Sequence, residues 1–170
     1  MKTRLITLCA ALATAALAFG ALRTVWTTEG RGTLTSGDRT GHFAVAAGKR
    51  QHNTAAAQMG GWVLLELPKT SSATALRLTI NVRNYMQEGN IATLTGPAVR
   101  RVRSSSSSNG SWTEIRGEGR VIVTSNRHRG ETGNPDTVSF RFTPTTGTDV
   151  FEFAGPLTSG DVTVTKTESY

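Results

Sequence analysis

From Leu76 to Arg83 the chain reads Leu-Arg-Leu-Thr-Ile-Asn-Val-Arg, with aliphatic and polar residues in strict alternation. A period of two puts the aliphatics on one face of an extended strand and the polar residues on the other; a helix scatters that pattern around its axis. The same alternation recurs at Phe43 and Val45, at Val138, Phe140 and Phe142, at Phe151 and Phe153, and at Val162 and Val164. Gly61 to Leu67 is a denser apolar run stopped by Pro68, as a central strand would be. Turn chemistry separates the runs at Ser36-Gly37-Asp38, Glu88-Gly89-Asn90, Ser108-Asn109-Gly110, Thr146-Gly147-Thr148 and Ser159-Gly160-Asp161. Apart from the N-terminal run, no segment holds a 3.6-residue apolar repeat. The spacing predicts an all-β domain of roughly seven to ten antiparallel strands, a sandwich or a barrel.

In that fold Leu76, Leu78, Ile80, Val82, Val121, Val123, Phe140, Phe142, Phe151, Phe153, Val162 and Val164 are expected to face inward. Gly48 to Gly60 is polar, then alanine-rich, and reads as a loop or a single helical turn. Thr163, Thr165 and Thr167 resemble the flat threonine ladder of some surface-binding β proteins, but a single triplet reads as ordinary strand because threonine suits a pleated surface.

The N-terminus has a different layout. Met1-Lys2-Thr3-Arg4 is basic, Leu5 to Leu17 is apolar, and Ala16 and Ala18 are small. This is the pattern of a secretory signal, too short for a stable membrane anchor. It predicts a signal peptide over 1–20, a single β domain over 21–170, and a secreted, periplasmic or cell-surface location. Cleavage there removes Cys9, the only cysteine, so the mature chain is expected to rely on its core, without a disulfide. No second apolar run approaches membrane-spanning length, so no transmembrane segment is expected in the mature chain.

The formal charge of +7 is concentrated. Arg100, Arg101, Arg103, Arg116, Arg120, Arg127 and Arg129 stand against only Glu114 and Glu118 in one stretch, with a serine run from Ser104 to Ser108 in its middle. Serine this dense buries no surface and reads as a mobile hairpin tip, which folds the arginines onto one sheet face or edge. A focused basic region suits an acidic partner. The expected partner is an anionic envelope polymer bearing phosphate or uronate groups, or another surface protein. Nucleic acid is not expected, since no nucleic-acid-binding motif is present. The competing reading is that the arginines only blunt a sheet edge against aggregation.

Trp112 falls on the same strand face as Glu114, Arg116, Glu118 and Arg120, a polar face, and is a candidate for stacking on sugar rings. Trp26 and Trp62, with Tyr85 and Tyr170, are the other aromatics available to such a platform, against a plain packing role. A carbohydrate-binding module built on exposed tryptophans is therefore the alternative function.

No catalytic, cofactor or metal site is expected. The arrangements G-x-G-x-x-G, P-loop and G-x-S-x-G are missing, and His42, His52 and His128 lack metal-ligand spacing. Glu114 and Glu118 read as charge alternation along a strand. Gly130 to Phe140, Gly-Glu-Thr-Gly-Asn-Pro-Asp-Thr-Val-Ser-Phe, carries Glu131, Asn134 and Asp136, too few carboxylates for a strong calcium loop and too close to Arg127, His128, Arg129 and Arg141. It reads as a hairpin corner, with weak calcium binding as the rival.

Gly30-x-Gly32, Gly41-x-Phe43-x-Val45-x-Ala47, the stretch from Glu88 to Ala98, the Gly130–Phe140 corner and the stretch from Gly155 to Val164 follow one another in order. This order resembles the post-COAP type of small glycine-rich β domain found in secreted and surface proteins of bacteria. The resemblance covers most of 30–164 and implies a β fold and an exported location. It carries no assigned catalytic activity. Members often carry an Asp-x-Gly-Glu-Pro-Gly corner; His128 and Thr132 stand here in place of its Asp and Pro.

Overall fold

The computed structural model describes residues 22–53, 55–103, 111–126 and 133–169. The expected signal peptide over 1–20 lies outside them. Among the described residues nine strands run in chain order: β1 (Arg23–Ser36), β2 (Arg39–His52), β3 (Gln58–Leu67), β4 (Leu76–Asn81), β5 (Asn84–Glu88), β6 (Ile91–Arg103), β7 (Trp112–Thr124), β8 (Thr137–Pro144) and β9 (Phe151–Ser169). The described residues contain no helix.

The strands close into an eight-stranded antiparallel barrel with one extra strand. β1 to β4 pair in sequence, β6 to β9 pair in sequence, β9 returns to β1, and β4 pairs with β6. β5 continues the course of β4 along the same edge of β6: Leu76–Ile80 lies opposite Val102–Ala98, and Asn84–Glu88 opposite Thr95–Ile91. Of the two architectures left open by the alternation, the chain takes the up-and-down barrel. Short connections suit it: Gly37 (φ 60°) and Gly89 (φ 56°) take the left-handed conformation that two of its tight turns require.

An eight-stranded barrel is just wide enough for side chains to fill. Ten of the twelve residues expected inward are buried there, from Leu78, Ile80 and Val121 to Phe140 and Phe142. Phe151 and Val164 are the exceptions, packed against the core but only partly buried. Phe151 is the first residue of β9, and Val164 lies on the stretch of β9 that pairs with β1 alone among the described residues. Gly119 makes room in the centre, since a Cβ there would come within 2.5 Å of Ile80 Cδ1.

The outer wall is polar. Glu29, Arg31, Glu66, Arg77, Glu118 and Arg120 all point out of the barrel and are exposed. A membrane-spanning barrel has the reverse polarity, and each arginine at mid-bilayer would cost about 2–4 kcal/mol. No helix among the described residues is long and apolar enough to cross a membrane.

The loop or helical turn expected over Gly48 to Gly60 is a correction. β2 runs on to His52 and β3 resumes at Gln58. The polar residues there extend β1 and β2 past the end of the barrel, where no apolar face is needed. β9 does the same, pairing Thr165 to Ser169 with Thr27 to Arg23.

Candidate binding face

The hairpin expected around the serine run is present. β6 and β7 pair from Ile91↔Thr124 to Arg103↔Trp112, with residues 104–110 of the tip outside the described set. Alternation then decides which arginines reach the surface. Arg101 and Arg103 on β6, and Arg116 and Arg120 on β7, point outward and are exposed.

Arg100 corrects the sequence reading. It shares its parity with Ala92, Leu94 and Ala98, so it points into the barrel and is only 4% exposed. Its guanidinium pairs with the Asp149 carboxylate, which reaches over from the β8–β9 connection, and lies 5.3 Å from the centre of the Phe142 ring. Arg100 thus plugs one end of the barrel and is not part of an outer basic face. Arg127 and Arg129 lie outside the described residues.

Two residues not singled out in the sequence join the outer face. Across β3, β4, β6 and β7 the register places Glu66, Arg77, Arg101 and Glu114 side by side. The two arginines sit directly opposite each other in the middle, an arrangement that is unfavourable alone. Each is held by its own acid: Arg77 Nε lies 3.2 Å from Glu66 Oε1, and Arg101 donates to Glu114 Oε2 through Nη2 (3.0 Å) and Nε (3.2 Å). Arg116 Nε donates to the other oxygen of Glu114 at 3.3 Å. The hydrogen bonds from Arg101, then Arg116, hold the Glu114 carboxyl below the usual carboxylate range. Glu114 is therefore a fixed anion and a poor general acid.

A guanidinium has five N–H donors. Arg77 is ion-paired with Glu66 and Arg101 gives two donors to Glu114, so both keep donors for a third anion. Trp112 closes the same cleft, which has a volume of about 340 Å³ and is lined by Arg77, Arg101, Trp112 and Glu114. Trp112 is 48% exposed. The next outward positions of the same strands, among them Thr79, Asn81, Pro97, Val99, Arg116 and Glu118, line a second cleft of about 460 Å³. Arg120 lies further along β7, opposite Arg141, which is paired with Glu152 at 2.9 Å.

The other aromatics divide. Trp62 is 47% exposed on the outer face of β3. Tyr85 is not available to a surface platform: it is buried in the core, with its hydroxyl 2.8 Å from Thr28 Oγ1. Trp26 is half-buried, and Lys49 Nζ (4.7 Å) and Lys166 Nζ (5.9 Å) lie over its ring.

Asp136, the last acid of the Gly130–Phe140 corner, is buried and engaged by backbone. Its Oδ1 accepts from the Asn126 N–H at 2.7 Å and its Oδ2 from the Val162 N–H at 3.3 Å. Each oxygen is already engaged by a backbone N–H, which leaves the carboxylate fewer lone pairs for a cation. Glu131 lies outside the described residues. His42 is exposed on β2, as its parity predicts.

The arginine face was only half visible in sequence. Alternation identifies Arg77 as outward, but bringing it beside Arg101 takes the closure of β4 on β6. Comparison with known proteins finds no matching family model, curated protein or solved structure.

Proposed function

We propose that this chain is an exported, non-enzymatic β-domain protein, an envelope-associated or extracellular binding module that holds an anionic polymer on its β4–β6–β7 face. The single observation that carries this reading is the cleft in which exposed Trp112 stands beside the cross-strand pair Arg77 and Arg101. Guanidinium forks match carboxylate and phosphate geometry, and an aromatic face packs against the C–H groups of a sugar ring. Together they suit a uronate- or phosphate-bearing glycan. The export pattern at Met1–Ala18 supports a partner outside the cytoplasm. Glu114, engaged by two arginines, serves in this reading to hold those arginines in place.

A neutral-carbohydrate module is the second reading, favoured by the two tryptophans Trp62 and Trp112 standing exposed on the outer wall. Binding measurements on uronate-bearing, phosphate-bearing and neutral glycans, each at low and high salt, separate the two. Anionic glycans bound with steep salt dependence support the polyanion reading. Neutral glycans bound equally well at high salt move the function to the second, and binding to none of the three classes removes both.

A further inference from the structure

β9 changes partners along its length. Phe151–Pro156 pairs with β8, while Leu157 onward pairs with β1. Beyond the split, the Val162 N–H is met by Asp136 Oδ2 and the Val162 carbonyl by Ser125 Oγ at 2.9 Å. The backbone groups of Val162 therefore point away from β1. In an antiparallel ladder this direction alternates residue by residue. The N–H and C=O of Val164, Lys166 and Glu168 point the same way as those of Val162, and among the described residues Thr163–Ser169 pairs with β1 alone. The side chains of Thr165 to Ser169 are exposed. Such a row of backbone donors and acceptors is a template for a further strand.

We propose that this edge pairs antiparallel with the same edge of a second copy, about a twofold axis through Thr167. Charge selects the register. An axis through Lys166 would set Lys166 against itself, and one through Thr165 would need the backbone of Val162, already taken by Asp136 and Ser125. An axis through Thr167 places Lys166 of each copy opposite Glu168 of the other, twice over, on residues whose backbone groups point outward. Within one chain Lys166 and Glu168 form an exposed ion pair, worth little alone. In the dimer the four charges alternate around the axis, and β2, β1 and β9 of both copies join into one six-stranded sheet. The interface is isologous, as twofold assembly requires.

Sedimentation of the purified protein over a concentration series up to roughly millimolar tests this. A concentration-dependent dimer is expected. Lys166→Glu and Glu168→Lys each turn two attractions into two repulsions and are expected to weaken it roughly tenfold or more. The double exchange Lys166→Glu/Glu168→Lys restores the alternation, and with it the dimer. Thermal melts of each variant check that the barrel stays folded, and the double exchange keeps the test valid if a single variant unfolds. A parent that stays monomeric overturns the proposal. So does a dimer indifferent to the single changes, or one lost in them and not regained in the exchange. None of these outcomes depends on the glycan face, which lies on other strands.

Discussion

The hydroxyls of Thr28 and Tyr85 meet at 2.8 Å inside the barrel and join β1 to β5, strands that are not neighbours in the sheet. Tyr85 donates its own proton to Gln87 Oε1 at 2.9 Å, which leaves the Thr28 hydroxyl as donor to the phenolic oxygen. A buried polar group is costly unless paired, and here each oxygen has a partner. The contact ties the extended β1–β2–β9 end to the wall formed by β5 and β6.

Burial raises the pKa of Tyr85, with the Thr28 hydrogen bond opposing in part. Below the ordinary tyrosine pKa of about 10, folded and unfolded chains both hold the proton, and this group adds no pH dependence. Above it the unfolded chain loses the proton first, so stability falls as pH rises toward the folded-state value. Melting curves of the parent and Tyr85→Phe should therefore converge at alkaline pH. At neutral pH the variant should be less stable by about 0.5–1.5 kcal/mol. A gap between the two curves that stays constant from pH 8 to 11, in the range where such a phenol titrates, would show that Tyr85 ionises as it does in the unfolded chain.

Leu78 and Phe140 fill the middle of the barrel, 0% and 1% exposed. Leu78→Ala or Phe140→Ala is expected to cost about 2–5 kcal/mol in denaturant unfolding, the cost of lost transfer energy plus the cavity left behind. Near-neutral values at both positions would be incompatible with a filled barrel.

The core was legible because strand periodicity needs no knowledge of partners. Leu76, Leu78, Ile80 and Val82 declare their face on their own. Arg100 carried the same signal, sharing parity with Ala92, Leu94 and Ala98, but its charge suggested the surface and outweighed its parity. Asp149, forty-nine residues away, makes its inward placement tolerable, and no local pattern announces such a partner. Arg77 beside Arg101 was hidden for a related reason, since it follows from barrel closure. Asp136 was placed correctly at a corner, but its burial depends on β9 leaving β8 for β1, a long-range event.

Asp136 substitutes for the strand that β9 has lost, by accepting from the Val162 N–H. Asp136→Ala leaves that N–H and the Asn126 N–H without their acceptor, and is expected to cost about 1.5–3 kcal/mol. Excess calcium should leave the parent's melting temperature unchanged. A ligand held by the native state alone would add about 2.7 kcal/mol at a hundredfold over its dissociation constant. A calcium-dependent rise abolished by Asp136→Ala would assign the corner to metal binding.

Reversing Arg100 and reversing its surface neighbours should differ in kind. Arg100→Glu would bury a carboxylate over Phe142 and face it toward Asp149, and is expected to unfold the barrel or lower its melting temperature steeply. Arg101→Glu, Arg116→Glu and Arg120→Glu alter exposed side chains and are each expected to change stability by about 1 kcal/mol or less. Equal melting temperatures for Arg100→Glu and Arg101→Glu would contradict the inward placement of Arg100.

The combined reversal of Arg101, Arg116 and Arg120 is then a clean probe of the proposed face, because the barrel should survive it. Affinity for an anionic glycan should fall steeply with salt in the parent, since each contact releases condensed counterions. The triple reversal is expected to abolish binding, while a single loss such as Arg120→Ala should lower the salt slope by roughly one. Trp112→Ala should weaken binding and leave the slope unchanged, because stacking releases no counterions. The comparison belongs at about 0.1 M salt, where exposed charges further apart than roughly 10 Å no longer feel one another and only direct contacts count. If the triply reversed protein holds the anionic matrix as well as its parent there, the arginines of β6 and β7 serve to keep the outer wall solvated, and the anionic-polymer reading falls.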